Sequence, residues 1–146
     1  MKAVICDAFG PLDGLRYGDL PLPDPKPDEV LIRTEASGVN YPDGLLVQGL
    51  YQMRPDSPFV PGMEVAGVVT AVGAEVTHVA AGDRVAAVLN LGGYAEQAVA
   101  KAATVFAIGA MDAAVACALL VAYGTAHHAL KQRAQLQSGE TLVVLG

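Results

Sequence analysis

The sequence predicts a mainly β fold, a barrel or sandwich of short strands, and two features carry that expectation. Runs of five to eight residues rich in Val, Ala, Ile and Leu recur through the first two thirds of the 146 residues. Sixteen glycines and nine prolines, spread along the chain rather than bunched, punctuate those runs with tight turns. Composition agrees with a packed domain: 53% of residues are hydrophobic and 16% charged, too apolar for a disordered tail. Trp is absent and aromatics make up 5%, so the core has to be assembled from Val, Leu, Ala and Ile. The length suits one complete domain of ordinary size.

Lys2–Cys6 reads as the first strand and Leu15–Asp19 as the second, after a turn at Phe9-Gly10-Pro11. Pro21, Pro23, Pro25 and Pro27 stand at alternate positions, which supports neither a helix nor a central strand and marks an extended connector. Val30–Ala36 alternates, with Val30, Ile32, Thr34 and Ala36 on one face and Arg33 and Glu35 on the other. Further strands are expected at Val65–Val72, Arg84–Leu89, Tyr94–Val99 and Thr104–Ile108. One short helix interrupts them. Asn40 stands where it can cap it, Pro42 fits the first turn, Asp43 faces the positive helix end, and Gly49 closes it after Leu45-Leu46-Val47. From Asp112 to about Gln135 the chain is rich in Ala and Leu and free of Pro, which predicts one long helix or two broken near Gly124. Ser138-Gly139-Glu140 is a turn, and Thr141–Leu145 reads as a strand of the kind buried on both faces.

Nine basic residues against fifteen acidic ones give a net charge of −6, so no basic patch is available to hold nucleic acid. Cys6 and Cys117 form no C-x-x-C pattern and read as two buried free thiols in a reducing compartment. The N-terminus meets a charge within a few residues and has no signal-peptide core. The longest uncharged apolar stretch, Ala113 to Ala126, spans about 21 Å as a helix, short of a bilayer core. A soluble cytoplasmic chain without a membrane partner is the expectation.

Four segments in order resemble one family. They are Ala36-Ser37-Gly38-Val39-Asn40-Tyr41-Pro42-Asp43, then Gly49-Leu50-Tyr51, then Phe59-Val60-Pro61-Gly62-Met63-Glu64-Val65-Ala66-Gly67-Val68-Val69, then Gly82-Asp83-Arg84-Val85. Gly93-Tyr94-Ala95-Glu96 and Gly139-Glu140-Thr141-Leu142-Val143-Val144 fit as well. Together they resemble the medium-chain dehydrogenase/reductase superfamily, in its zinc-free quinone oxidoreductase (zeta-crystallin-like) branch. The resemblance implies a GroES-like, partly open β-barrel over residues 1–124 as the catalytic domain. Residues 125–146 would begin an NAD(P)-binding Rossmann domain, cut at Gly146 before its glycine fingerprint. It further implies an NADPH-dependent oxidoreductase that passes a hydride to a small-molecule quinone or enone, in a homodimeric parent. Residues 1–146 alone are expected to be inactive, since the pyrophosphate of a dinucleotide needs that glycine turn.

Zinc-dependent relatives in the superfamily place a Cys and a His where this chain has Asn40 and Met63, and neither replacement suits zinc. No four-Cys lobe is possible with two cysteines. Glu64 by itself reads as a hydrogen-bonded structural carboxylate.

Read from the residues, Asn40 is either a helix cap or an amide that orients a carbonyl or the nicotinamide edge, and both can hold. Asp43 is either a partner of the helix dipole or a group on the active-site cleft. Tyr51 either donates to a ligand oxygen or packs its ring at the barrel edge, and Tyr41 packs beside it. The resemblance places Asn40 and Tyr51 on the nicotinamide and substrate cleft. It also sets Thr125, in Gly124-Thr125-Ala126, against the nicotinamide carboxamide; as an isolated residue Thr125 bonds a preceding helix carbonyl. His127 and His128 are adjacent, so they point about 100° apart on a helix and cannot chelate together. Two other functions stay open: a non-enzymatic GroES-like binding or structural module, and an enoyl thioester reductase.

Overall fold

The computed structural model describes residues 1–145. A two-stranded antiparallel ribbon, β1 (Lys2–Ile5) with β2 (Arg16–Asp19), stands beside a five-stranded antiparallel sheet. That sheet runs β6 (Gln97–Lys101), β3 (Glu29–Ser37), β4 (Glu64–Val72), β5 (Arg84–Val88), β7 (Val105–Ala107), and curls into a half-barrel. A short helix α1 (Tyr41–Val47) follows β3, and a long helix α2 (Ala113–Arg133) closes the described part. The fold is mainly β, as the sequence predicts.

The strands carry the small aliphatic core that the composition requires. Val30 and Ile32 of β3, Val65 and Val69 of β4, Val85 and Ala87 of β5 and Val105 of β7 form one buried cluster. β3 departs from simple alternation: Glu29 to Ile32 are all buried, along the half of the strand that runs between β4 and β6. Alternation returns at Arg33 and Glu35, where the strand reaches solvent.

Two expected strands are corrected. The run Tyr94–Val99 does not pair as one unit, and β6 begins three residues later at Gln97. The reason is that Tyr94 and Ala95 spend their backbone elsewhere. The Tyr94 N–H donates to the Pro61 carbonyl at 2.9 Å, its carbonyl accepts the Val4 N–H at 2.9 Å, and Ala95 bridges to Ala3. This segment stitches the ribbon to the sheet. Thr141–Leu145 is not a strand: it pairs with no strand among the described residues, and Val143 to Leu145 are 73–91% exposed. A buried-type strand forms only against neighbours that complete its ladder. Gly146 lies outside the described residues.

α2 is continuous through Gly124, whose backbone is right-handed helical, so the one-helix alternative holds. Asp112 caps it, its Oδ1 accepting the N–H groups of Ala114 at 2.9 Å and Val115 at 3.1 Å. Ala113, Ala116 and Cys117, at helical spacing, pack on Ala66 of β4 and Ala86 of β5, where small side chains let the helix approach the sheet closely. Asp112→Ala is expected to cost about 1 kcal/mol of stability, the usual worth of such a cap, read as a lowered urea midpoint with unchanged slope. Beyond Val121 the helix is largely exposed. It also runs past the uncharged stretch to Arg133, making 21 residues. That overturns the expectation of an apolar segment too short for a bilayer, because by length and composition this helix is long enough. Only 17% of its most apolar window is buried.

Candidate functional site

The two β-to-loop connections around α1 and the start of β4 converge on Asn40. This residue follows β3 with extended backbone and stands at the N-cap of α1. Its backbone N–H donates to Oδ2 of Asp43 at 2.8 Å, the capping-box geometry that an acidic N3 residue provides. Its side-chain Nδ2 donates to Oε1 of Glu64 at 2.8 Å. Asn40 therefore serves two carboxylates at once, one from its backbone and one from its amide.

Both carboxylates are buried, Asp43 at 3% and Glu64 at 2% exposure. Asp43 Oδ2 also accepts the phenol proton of Tyr94 at 2.8 Å, while its Oδ1 is buried with no partner among the described residues. Glu64 Oε2 accepts the backbone N–H of Val121 at 2.8 Å. That bond coincides with the wide π-helical turn of α2 over Leu119–Tyr123, as expected where a side-chain acceptor enters a helix ladder. Among the described residues neither carboxylate is in an ion pair.

Tyr94 is delivered by a close backbone approach. Gly93 N–H donates to the Gly62 carbonyl at 3.1 Å, and a Cβ on Gly62 would fall 2.7 Å from both Gly93 Cα and Tyr94 N. Gly62 also has φ of +103°, a conformation that side chains resist. Burial, then the charge and hydrogen bond of Asp43, push the Tyr94 phenol well above its ordinary value. It stays protonated across the physiological range, with that proton aimed at Asp43.

Asn40, Asp43 and Tyr94 line a cleft of about 660 Å³ whose other walls include Leu12, Tyr41 and Leu50. Behind Asn40 a smaller hollow of about 220 Å³ reaches Glu64 and Cys117. The structure thus brings Asn40 and Asp43 together. Tyr51 sits elsewhere, its ring packed with Leu46, Val47 and Phe59. Thr125 stands exposed on α2, outside the residues that line the cleft. Tyr94 escaped the sequence reading as a site residue; its signal was the paired glycine before it, which frees the backbone to press against Gly62. Glu64 is hydrogen-bonded on both carboxylate oxygens, as the sequence suggests.

Cys6 and Cys117 are both free and buried. Burial, with the Glu64 charge second, pushes the Cys117 thiol to about 11, and burial raises that of Cys6. Since the thiolate is the reactive form, neither cysteine is expected to react with a disulfide reagent at pH 8 until the chain is unfolded. Rapid labelling of the folded chain would show that α2 lifts off the sheet.

Residues 26–111, well over half of the chain, match the alcohol dehydrogenase GroES-like domain family. The chain belongs to that family. The GroES-like domain lies in the quinone oxidoreductase branch of the medium-chain dehydrogenase/reductase superfamily. It is 38% identical to a quinone oxidoreductase of Lama guanicoe over 149 residues, covering 100% of this chain and 45% of that protein. It is 43% identical over 122 residues to quinone oxidoreductase-like protein 2 of Rattus norvegicus, covering 81% of this chain and 34% of the relative. A mycobacterial protein solved in complex with NADPH superposes with a TM-score of 0.90 at 36% identity, covering 96% of this chain and 44% of the other. The GroES-like domain described here spans less than half the length of these relatives.

The fit of the implied groups can be judged from the side chains. A dinucleotide's nicotinamide end suits the cleft, which offers an anchored amide among apolar walls. A metal does not suit it: Met63 packs into the apolar cluster around Leu46, the Asn40 amide is bonded to Glu64, and no three His, Cys, Asp or Glu gather among the described residues.

Proposed function

We propose that this chain is the GroES-like half of an NADPH-dependent oxidoreductase that reduces a quinone or an α,β-unsaturated carbonyl without a metal. The observation that carries the reading is Asn40 on the wall of the cleft, its side-chain amide held by the buried Glu64 and its backbone N–H by the buried Asp43. The relatives named quinone oxidoreductase and the neighbour solved with NADPH support it. Residues 1–124 then form the catalytic domain, and 125–146 open the domain that binds the rest of the cofactor. Free, buried thiols suit a reducing cytoplasmic setting.

When bound, NADPH supplies the hydride, so the protein's own contribution is placement and polarity. Asn40 orients the group that docks against it, and Leu12 and Leu50 offer apolar surface to a flat acceptor. Tyr94 is a poor proton donor, because its proton is held in the hydrogen bond to Asp43 and its loss would set an anion beside an anion. The proton that completes the reduction then comes from solvent or from another tyrosine, such as Tyr41 on the cleft wall.

The test is loss of NADPH absorbance catalysed by the whole protein that carries these residues, with a 1,4-quinone and with a 2-enone. Turnover with at least one acceptor, unchanged by a metal chelator, is expected. Residues 1–146 alone are expected to show none, since among the described residues no glycine-rich turn leads into a helix N-terminus to seat a pyrophosphate. No oxidation of either acceptor by the whole protein, or its abolition by the chelator, would overturn the reading. In the same assay Tyr51→Phe keeps the ring packing and should hold stability within about 0.5 kcal/mol; a fall in turnover would assign the hydroxyl to the ligand.

A further inference from the structure

We propose that Glu64 is a positioning residue for Asn40: its buried carboxylate decides which way the Asn40 amide faces and ties that choice to helix α2. The consequence for ligand binding rests on the oxidoreductase reading above; the positioning itself does not.

An ionised carboxylate only accepts hydrogen bonds, and a backbone N–H only donates. Glu64 Oε2 is committed to the Val121 N–H at 2.8 Å, and Oε1 meets the Asn40 side chain at 2.8 Å. Oε1 can take only the NH2 end of that amide. Reversing the amide would set oxygen against oxygen at a residue 2% exposed, where no solvent relieves it. The amide oxygen is thereby turned away from Glu64 and is available as an acceptor to a ligand in the cleft that Asn40 lines. The group it takes from a ligand is then a hydrogen-bond donor, an amide N–H or a hydroxyl, rather than a bare carbonyl.

A second observation is independent of the hydrogen bonds. Gly38, two residues before Asn40, has no room for a side chain: a Cβ there would lie 1.9 Å from Glu64 Oε1 and 2.6 Å from Glu64 Cδ. The backbone that leads into Asn40 is shaped around this carboxylate. No cation pairs with Glu64 among the described residues, so charge neutralisation does not explain its burial.

The chain contains two asparagines, Asn40 and Asn90, and Asn90 is exposed, which provides an internal reference. In nitrogen-15-labelled wild-type chain, the Asn40 side-chain amide protons are expected to exchange with water at least ten-fold more slowly than those of Asn90. Equal rates would overturn the proposal without any variant having to fold. Glu64→Gln keeps the shape but owns one oxygen, which Val121 requires, so its own NH2 faces Asn40 and forces the amide to reverse. This variant should shift the Asn40 amide resonances and weaken NADPH binding by the whole protein about ten-fold. The double variant Glu64→Gln, Asn40→Asp exchanges the two groups and again leaves an acceptor oxygen towards the cleft, so affinity should return to within about three-fold of wild type. A lowered melting temperature in Glu64→Gln with wild-type NADPH affinity would reduce Glu64 to a structural group. Failure of the double variant to recover, with the amide exchange slow, would show that Asn40 acts as a donor. If wild type binds no NADPH at all, the oxidoreductase reading fails while the exchange measurement still decides the positioning.

Discussion

Replacing Gly67 with alanine is expected to cost at least about 3 kcal/mol, the upper range for overpacking a filled site, and to lower the thermal midpoint by about 10 °C or more. Gly67 lies in β4 opposite Thr34 of β3, next to a shift in register between Thr34 and Ala36. An added Cβ would stand 2.0 Å from the Arg33 carbonyl oxygen and 3.1 Å from the Glu35 amide nitrogen. These are backbone atoms of the central strand pair, so no side-chain rotation clears the space. Relief requires β3 and β4 to separate, and with them Val30, Ile32, Val65 and Val69 of the main core. A circular dichroism melt within 2 °C of wild type would show that the irregular register opens at little cost.

The second large effect falls on chemistry rather than on the sheet. Asn40→Ser in the whole protein should lower kcat/KM for NADPH oxidation about 100-fold, the scale seen when one preorganised polar group is removed from an active site. Serine remains a competent helix cap, and the backbone N–H that bonds Asp43 is untouched. What disappears is the amide on the cleft wall and the donor to Glu64 Oε1, so stability should fall by only about 1–2 kcal/mol. A variant that melts earlier yet turns over normally would assign Asn40 to structure alone.

The legible parts of this molecule were those decided locally. Alternating Val and Ile fixed the strands of the sheet, the Asn40-to-Gly49 segment announced a capped helix, and the Pro-free run rich in Ala and Leu after Asp112 announced another helix. What local pattern cannot carry is a backbone's choice of partner. Tyr94 and Ala95 look like the start of a strand, yet their amides and carbonyls are taken by Pro61, Val4 and Ala3. Thr141–Leu145 has the composition of a central strand and lacks neighbours to make it one. The site divided in the same way. Asn40 and Asp43 were visible because they share a cap three residues apart; Glu64 and Tyr94 reach them across 24 and 51 residues. Resemblance raised Tyr51 and Thr125, and the fold sets them against an apolar cluster and on an exposed helix face.

Each of the two buried carboxylates takes its hydrogen bonds from uncharged donors: Asp43 from a backbone N–H and a phenol, Glu64 from an amide and a backbone N–H. An ion pair at the surface weakens as dissolved ions gather around it, within about 8–10 Å at ordinary salt. Here there is no opposite charge for those ions to displace. The surface pairs of this chain, Lys2 with Asp19 and Lys101 with Asp28, will loosen in concentrated salt. The Asn40 cradle keeps its geometry in the same solution, so its shape is set by hydrogen-bond direction and is indifferent to ionic strength.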